Sequence, residues 1–206
     1  MWPPSEKTEE LLADAKVGDA SAVNLLLDRH REAVHRMVRM RLDQKILRRV
    51  DVSDVVQDVM VEANRRLQDY LQNPGMSFHL WIRQIARDRI IDAHRRHRVS
   101  AKRSVDREQA VAPQGEGQSS IRLAAQLCDP RLTPAAAAAQ HEMARRVEQA
   151  ITQLGDQDCE IIMMRHYEQL SNQEIAQSLG LTEPAASMRY LRAIRRLRSL
   201  LGEPQD

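Results

Sequence analysis

Five arginines, Arg189, Arg192, Arg195, Arg196 and Arg198, fall within ten residues that contain no acid, at the end of the stretch SNQEIAQSLGLTEPAASMRYLRAIRRLR (171–198). The chain as a whole has a net charge of only +2, so this density is local. Guanidinium groups spaced three and four residues apart line a helix side, and their planar donors suit phosphate oxygens. Thr182, Glu183, Ser187 and Met188 stand just before or among them, where the start of a helix in a DNA groove would meet base edges.

Two other sets of residues could do chemistry. DVSDVVQDVMVE (51–62) holds four acids and no Lys or Arg, with Asp51, Asp54, Gln57 and Asp58 separated by valines. Such a face suits a basic protein surface. The stretch 83–103 holds eight Lys or Arg against two acids and suits phosphates. It also contains Asp92, His94 and His97, a spacing that would serve a metal-dependent nuclease only if further ligands joined them. On a basic helix these are surface groups, and no metal or other cofactor is expected. His30, His35 and Cys159 read as packing or surface residues.

These residues need scaffolds, and the scaffolds are legible. Ser171 followed by Glu174 is a capping box, Gly180 suits a left-handed stop, and Thr182 with Pro184 restarts a helix. Ala186, Tyr190, Ile194, Leu197 and Leu201 form the apolar stripe of that second helix. The unit is a helix-turn-helix. Upstream, helices are expected over 5–17, stopped by Gly18, and from an Asp19 cap to about Leu42. Further helices are expected from near Ser53 to Leu71 and from a Ser77 cap to about Arg98. QNPGMS (72–77) breaks the chain between the last two. Phe78, Trp81 and Ile85 are spaced for a core, which leaves Asn73, Ser77, His79 and Arg83 as the surface candidates for contact with unpaired bases.

Aromatics are only 3% of the chain, and no alternating β-branched run argues for a sheet. The fold class expected is all-α: two small helical domains joined by a flexible linker. The domains are 1–103 and 134–206, with a polar, Pro- and Gly-punctuated linker over 104–133. Within the second, helices are expected from Thr133-Pro134 to Leu154 and from an Asp156 cap to Tyr167. The N-terminus lacks the basic flank and apolar core of a signal peptide, and no apolar run would span a bilayer. Cys128 and Cys159 form no CxxC pair, so a reducing cytoplasm is the expected location.

Four segments in this order resemble the extracytoplasmic-function group of bacterial RNA polymerase sigma factors, in the sigma-70 family. LLADAKVGDASAVNLLLDRHREAVHRMV resembles the family's opening helices. DVSDVVQDVMVEANRRL resembles its polymerase-docking segment, FHLWIRQIARDRIIDAHRRHR its −10-reading segment, and LSNQEIAQSLGLTEPAASMRYLRAIRRLRSLL its −35-reading helix-turn-helix. The resemblance implies a non-enzymatic protein that recruits core RNA polymerase to promoter DNA and assists opening. Asp51, Asp54, Gln57 and Asp58 would bind polymerase. Asn73, Ser77, His79, Arg83, Arg87, Arg95 and Arg96 would bind the −10 element. Thr182, Glu183, Ser187, Met188, Arg189, Arg192, Arg195 and Arg196 would bind the −35 element. An anti-sigma factor is a further partner the resemblance implies. The competing reading is a helix-turn-helix regulator that does not bind core polymerase, which would leave 51–103 without a task.

Overall fold

The computed structural model describes residues 2–42, 49–101, 120, 123 and 137–202. The chain divides into two compact units, Met1–Glu108 and Gln109–Asp206. Among the described residues the structure is helical and contains no strand.

The first unit contains α1 (Ser5–Lys16), α2 (Ala20–Arg41), α3 (Val52–Gln72) and α4 (Phe78–Ala101). Gly18, at φ +95°, ends α1 in the left-handed region, and Asp19 caps α2 by accepting from the Ser21 and Ala22 amides. Asp51 caps α3 in the same way, accepting from Ser53 N at 2.8 Å. Helix α2 packs on α1, α3 and α4, and α3 packs on α4. Leu26, Val34, Val38, Val59, Ala63, Leu67, Ile82 and Ala86 close the core between them.

Between α3 and α4 the Tyr70 hydroxyl donates to the Met76 carbonyl at 2.9 Å, which ties the NPGMS segment to the end of α3. Tyr70, Phe78 and Trp81 pack ring against ring, Tyr70 and Phe78 edge to face and the other pairs tilted, with centroids 4.7–5.6 Å apart. Phe78 and Ile85 are buried, while Trp81 is half-buried against the core. The Ser77 carbonyl accepts from the Leu80 and Trp81 amides as α4 begins.

The second unit contains α5 (Ala137–Thr152), α6 (Asp156–Ile162), a π turn (Met163–Tyr167), α7 (Asn172–Leu179) and α8 (Glu183–Leu201). Helix α8 packs on α5, α6 and α7, around buried Val147, Ile151, Ile161, Ile162, Met164, Ile175, Ala193 and Leu197. The cap of α6 is Gly155, not Asp156, and it makes no side-chain bond; Asp156 is the first helical residue. The expected continuous helix to Tyr167 widens at Met163, where the Glu168 amide reaches back five residues to the Met163 carbonyl. The expected restart at Thr133-Pro134 and most of the expected linker lie outside the described residues. Within that linker, Ser120 and Leu123 are helical and buried; Ser120 Oγ lies 2.5 Å from Glu148 Oε1 and 3.0 Å from the Tyr167 hydroxyl. Both partners belong to the second unit. No helix among the described residues is long and apolar enough to cross a membrane.

One core residue of the first unit titrates. His30 is fully buried; its Nδ1 donates to the Leu26 carbonyl at 3.0 Å, and the Phe78 ring stands edge-on to it at 4.8 Å. Its Nε2 is buried with no hydrogen-bond partner. Burial, with a smaller push from His79 and Arg29 against the pull of the Leu26 carbonyl, lowers its pKa from 6.5 to about 4. The folded state therefore keeps His30 neutral while the unfolded chain takes up a proton below pH 6.5. Stability is lost as pH falls from about 6.5 towards 4 and amounts to about 2 kcal/mol between pH 7 and pH 5. Both tryptophans of the chain, Trp2 and Trp81, lie in this unit, so tryptophan fluorescence follows its unfolding alone. Denaturant titrations at pH 7 and 5 are expected to show that drop in the wild type, and His30→Leu is expected to reduce it by about 2 kcal/mol.

Candidate nucleic-acid and protein interfaces

The helix-turn-helix is specified by bonds between residues close in sequence. Ser171 Oγ accepts from the Glu174 amide at 3.2 Å, and Glu174 Oε2 accepts from the Ser171 amide at 2.6 Å, completing the capping box. Gly180 takes φ +63°, and the Leu181 amide bonds back to the Ala176 carbonyl at 2.9 Å. Thr182 Oγ1 then accepts from the Ala185 amide at 3.3 Å. Asn172 Nδ2 donates to the Glu183 carbonyl at 3.1 Å, which ties the start of α7 to the start of α8. Buried Ala176, Ala186 and Ala193 keep side-chain bulk low where α8 meets the rest of the unit. The stripe differs from the one expected: Ala193 lies at its centre, while Tyr190 and Ile194 are half-buried at its edges. Sequence reasoning passed over Ala193 because it followed the larger neighbours Tyr190 and Ile194.

Tyr190 has a second task. Its hydroxyl lies 2.9 Å from His166 Nε2 on the π turn, and the two rings are 5.7 Å apart. Burial, reinforced by Arg165, lowers the His166 pKa to about 4, so the imidazole is neutral at pH 7. A neutral hydrogen bond thus helps fix the rotation of α8.

Most candidate contact residues of α8 face solvent. Thr182, Glu183, Met188, Arg192, Arg195 and Arg196 are exposed, and Ser187 and Arg189 are half-buried. The Thr182 hydroxyl already serves as the cap, so it also positions its neighbours.

On α3, Asp51, Asp54, Gln57 and Asp58 are all exposed, while Val55, Val56, Val59 and Met60 are buried. Asp51 is also the helix cap. The acidic and basic helices, expected to face separate partners, also touch each other. Asp58 Oδ2 lies 3.6 Å from Arg96 Nη2. Glu62, only 7% exposed, pairs with Arg65 at 2.7 Å, with Arg66, and with Arg89 at 3.2 Å. The Arg65 hydrogen bond is the largest of the influences that hold the Glu62 carboxyl below the usual carboxylate range.

Among the candidates around α4, Asn73, Ser77, Arg95 and Arg96 are exposed and Arg87 is half-buried. His79 is half-buried, with its ring 6.0 Å from that of Trp2. Arg83 is the correction. Its residue is 1% exposed, so it cannot reach a base or phosphate in this conformation. Leu80, Ile82, Arg83, Ile85 and Ala86 are all buried because α2 and α3 cover most of the circumference of the first turns of α4. A simple amphipathic pattern, which would leave Arg83 outside, does not hold there. His94 Nε2 lies 3.3 Å from the Arg41 carbonyl, and Asp92 pairs with Arg89 at 3.5 Å. No group of three His, Cys, Asp or Glu among the described residues is placed to hold a metal.

Residues 26–99 match the description of sigma-70 region 2 and residues 144–197 that of sigma-70 region 4; together these cover more than half of the 206 residues. Among solved structures, the chain is similar to CnrH, determined in complex with the cytosolic domain of CnrY. They share 25% identity, with 96% of this chain and 98% of that one covered and a TM-score of 0.60. The RsbN–BldN complex also matches, at 20% identity and a TM-score of 0.33, with 92% and 98% covered. Among curated proteins no sequence matches significantly.

The exposed arginines of α8 generate a salt-dependence prediction. Each phosphate contact contributes about 0.9 to the slope of log affinity against log salt concentration. Arg192→Ala with Arg196→Ala is expected to lower the slope for duplex binding by about 1.8. Titration over a range of salt concentrations checks this, and an unchanged slope would remove both residues from the phosphate contacts.

Proposed function

Because the chain belongs to the sigma-70 family of RNA polymerase sigma factors, in its extracytoplasmic-function group, we propose a division of labour among its surfaces. The protein recognises promoters and acts in transcription initiation. Asp54, Gln57 and Asp58, with Asp51 at the helix start, dock α3 on a basic surface of core polymerase. Asn73, Ser77 and His79, supported by Arg87, Arg95 and Arg96, capture the −10 element as the duplex opens. Helix α8 enters the major groove at the −35 element, with Glu183, Ser187 and Met188 towards the bases and Arg189, Arg192, Arg195 and Arg196 towards phosphates. Unstacking DNA costs about 1.4 kcal/mol per step. Stacking of a captured base on an aromatic ring such as that of His79 returns about 1–3 kcal/mol, which offsets about one step of opening. The boundaries 1–103, 104–133 and 134–206 separate docking and −10 reading from −35 reading. The reading is of a cytoplasmic protein without catalytic activity.

A further protein partner belongs to this proposal. The CnrH structure contains the cytosolic domain of CnrY. That supports an anti-sigma factor binding this chain too, in competition with polymerase.

The observation that carries the docking assignment is the start of α3, where Val55, Val56, Val59 and Met60 are buried and Asp54, Gln57 and Asp58 are exposed. Asp54 and Asp58 are one turn apart, which costs a few tenths of a kcal/mol through like-charge repulsion. A basic partner offsets that cost on binding. Asp54→Lys with Asp58→Lys is expected to lower core-polymerase capture at least tenfold while leaving salt-dependent DNA binding through α8 intact. The variant leaves Asp51 in place, so the α3 cap is not disturbed. Capture at wild-type strength would place the docking surface elsewhere.

A further inference from the structure

Helix α8 carries an outward line that the arginine pattern conceals. Its buried line runs through Ala186, Ala193 and Leu197. At 3.6 residues per turn, the positions opposite are 184, 188, 191 and 195. Met188 is 54% exposed and Leu191 45% exposed, so two large apolar side chains stand at the crest of the helix. Arg192 and Arg196 flank that crest on one side, and Arg195 continues it one turn further on.

We propose that Met188 and Leu191 read thymine C5-methyl groups in the major groove, with Leu191 a specificity residue additional to those assigned above. The inference rests on the promoter-reading function of α8. The flanking cations select a polyanion rather than an apolar protein groove as the occupant of this face. Within the major groove the base edges offer hydrogen-bond donors and acceptors almost everywhere; the thymine methyl is the apolar feature that Met and Leu match. Placement agrees, since over its first turns the crest of a helix seated in the groove meets the bases, while its flanks and later turns meet the phosphate walls. Covering one methyl group is worth about three- to fourfold in affinity.

The test uses the full chain assembled with core polymerase to enrich duplexes from a random-sequence pool. Each thymine of the recovered upstream element is then replaced singly by deoxyuridine, which lacks only the methyl group. The wild-type holoenzyme is expected to lose about three- to fourfold at one or two positions. Leu191→Ala is expected to bind the thymine probe as weakly as the wild type binds the deoxyuridine probe, and to suffer no further loss from deoxyuridine at its own position. Met188→Ala is expected to do the same at a neighbouring position. Leu191→Gln repeats the test with a polar side chain at an exposed site that the core does not use. Equal wild-type binding to thymine and deoxyuridine probes at every position would overturn the proposal, as would a deoxyuridine penalty undiminished in all three variants. Enrichment of an element indifferent to the methyl group defeats the thymine assignment alone. Failure to enrich any upstream element defeats the promoter-reading function as well.

Discussion

Burial of one face of α3 and one face of α8 is the constraint that sets the charged surfaces. Val55, Val56, Val59 and Met60 must leave water, and once they do, Asp54, Gln57 and Asp58 can only face it. Ala186, Ala193 and Leu197 act in the same way on α8 and turn Arg192, Arg195 and Arg196 outward. The apolar residues therefore determine which charged side chains face outward. Each buried valine contributes about 1.5–3 kcal/mol. The like-charge penalty on the outer face of α3 is small beside that, so the fold can carry a surface suited to binding rather than to its own stability.

The contact between α3 and α4 sets a second limit. The Asp58–Arg96 pair is exposed on both sides, and such pairs contribute about 0–1 kcal/mol. It can be exchanged for a polymerase or phosphate contact at little cost. The group around Glu62 differs, because that carboxylate is nearly covered and has three arginines near it. It reads as part of the joint between the two helices. One seam thus contains an exchangeable pair and a fixed cluster one helical turn apart.

Much of the fold was legible because local chemistry specified it. The Asp19 and Thr182 caps, the Ser171–Glu174 box and the Gly180 stop act within four residues and need no tertiary knowledge. Misplacements arose where neighbouring elements decide. Arg83 is charged and sits in a basic run, yet its burial depends on how α2 and α3 wrap α4. Ser120 and Leu123 lie among linker-like residues, and their burial depends on Glu148, Tyr167 and the core of the second unit. Leu191 was not singled out in the sequence, because its exposure follows only from the buried line of α8. The widening at Met163 has no local signature in MMRHY.

That widening also insulates the helix-turn-helix from α6. A π turn accommodates one more residue per turn than an α-helix, so chain length can change there by one residue while the helix before it keeps its pitch. Immediately downstream, Ser171 and Glu174 restart the backbone from their own side chains rather than from the phase of α6. The helix-turn-helix pair is thereby uncoupled, in register along the chain, from the helix before it. Its angle of presentation is set by the Tyr190–His166 bond and by the packing of α8 on α5, α6 and α7, not by counting residues along a continuous helix. The packing of α6 on α8 still holds those two helices together, so a change in chain length is tolerated at the turn rather than at their contact.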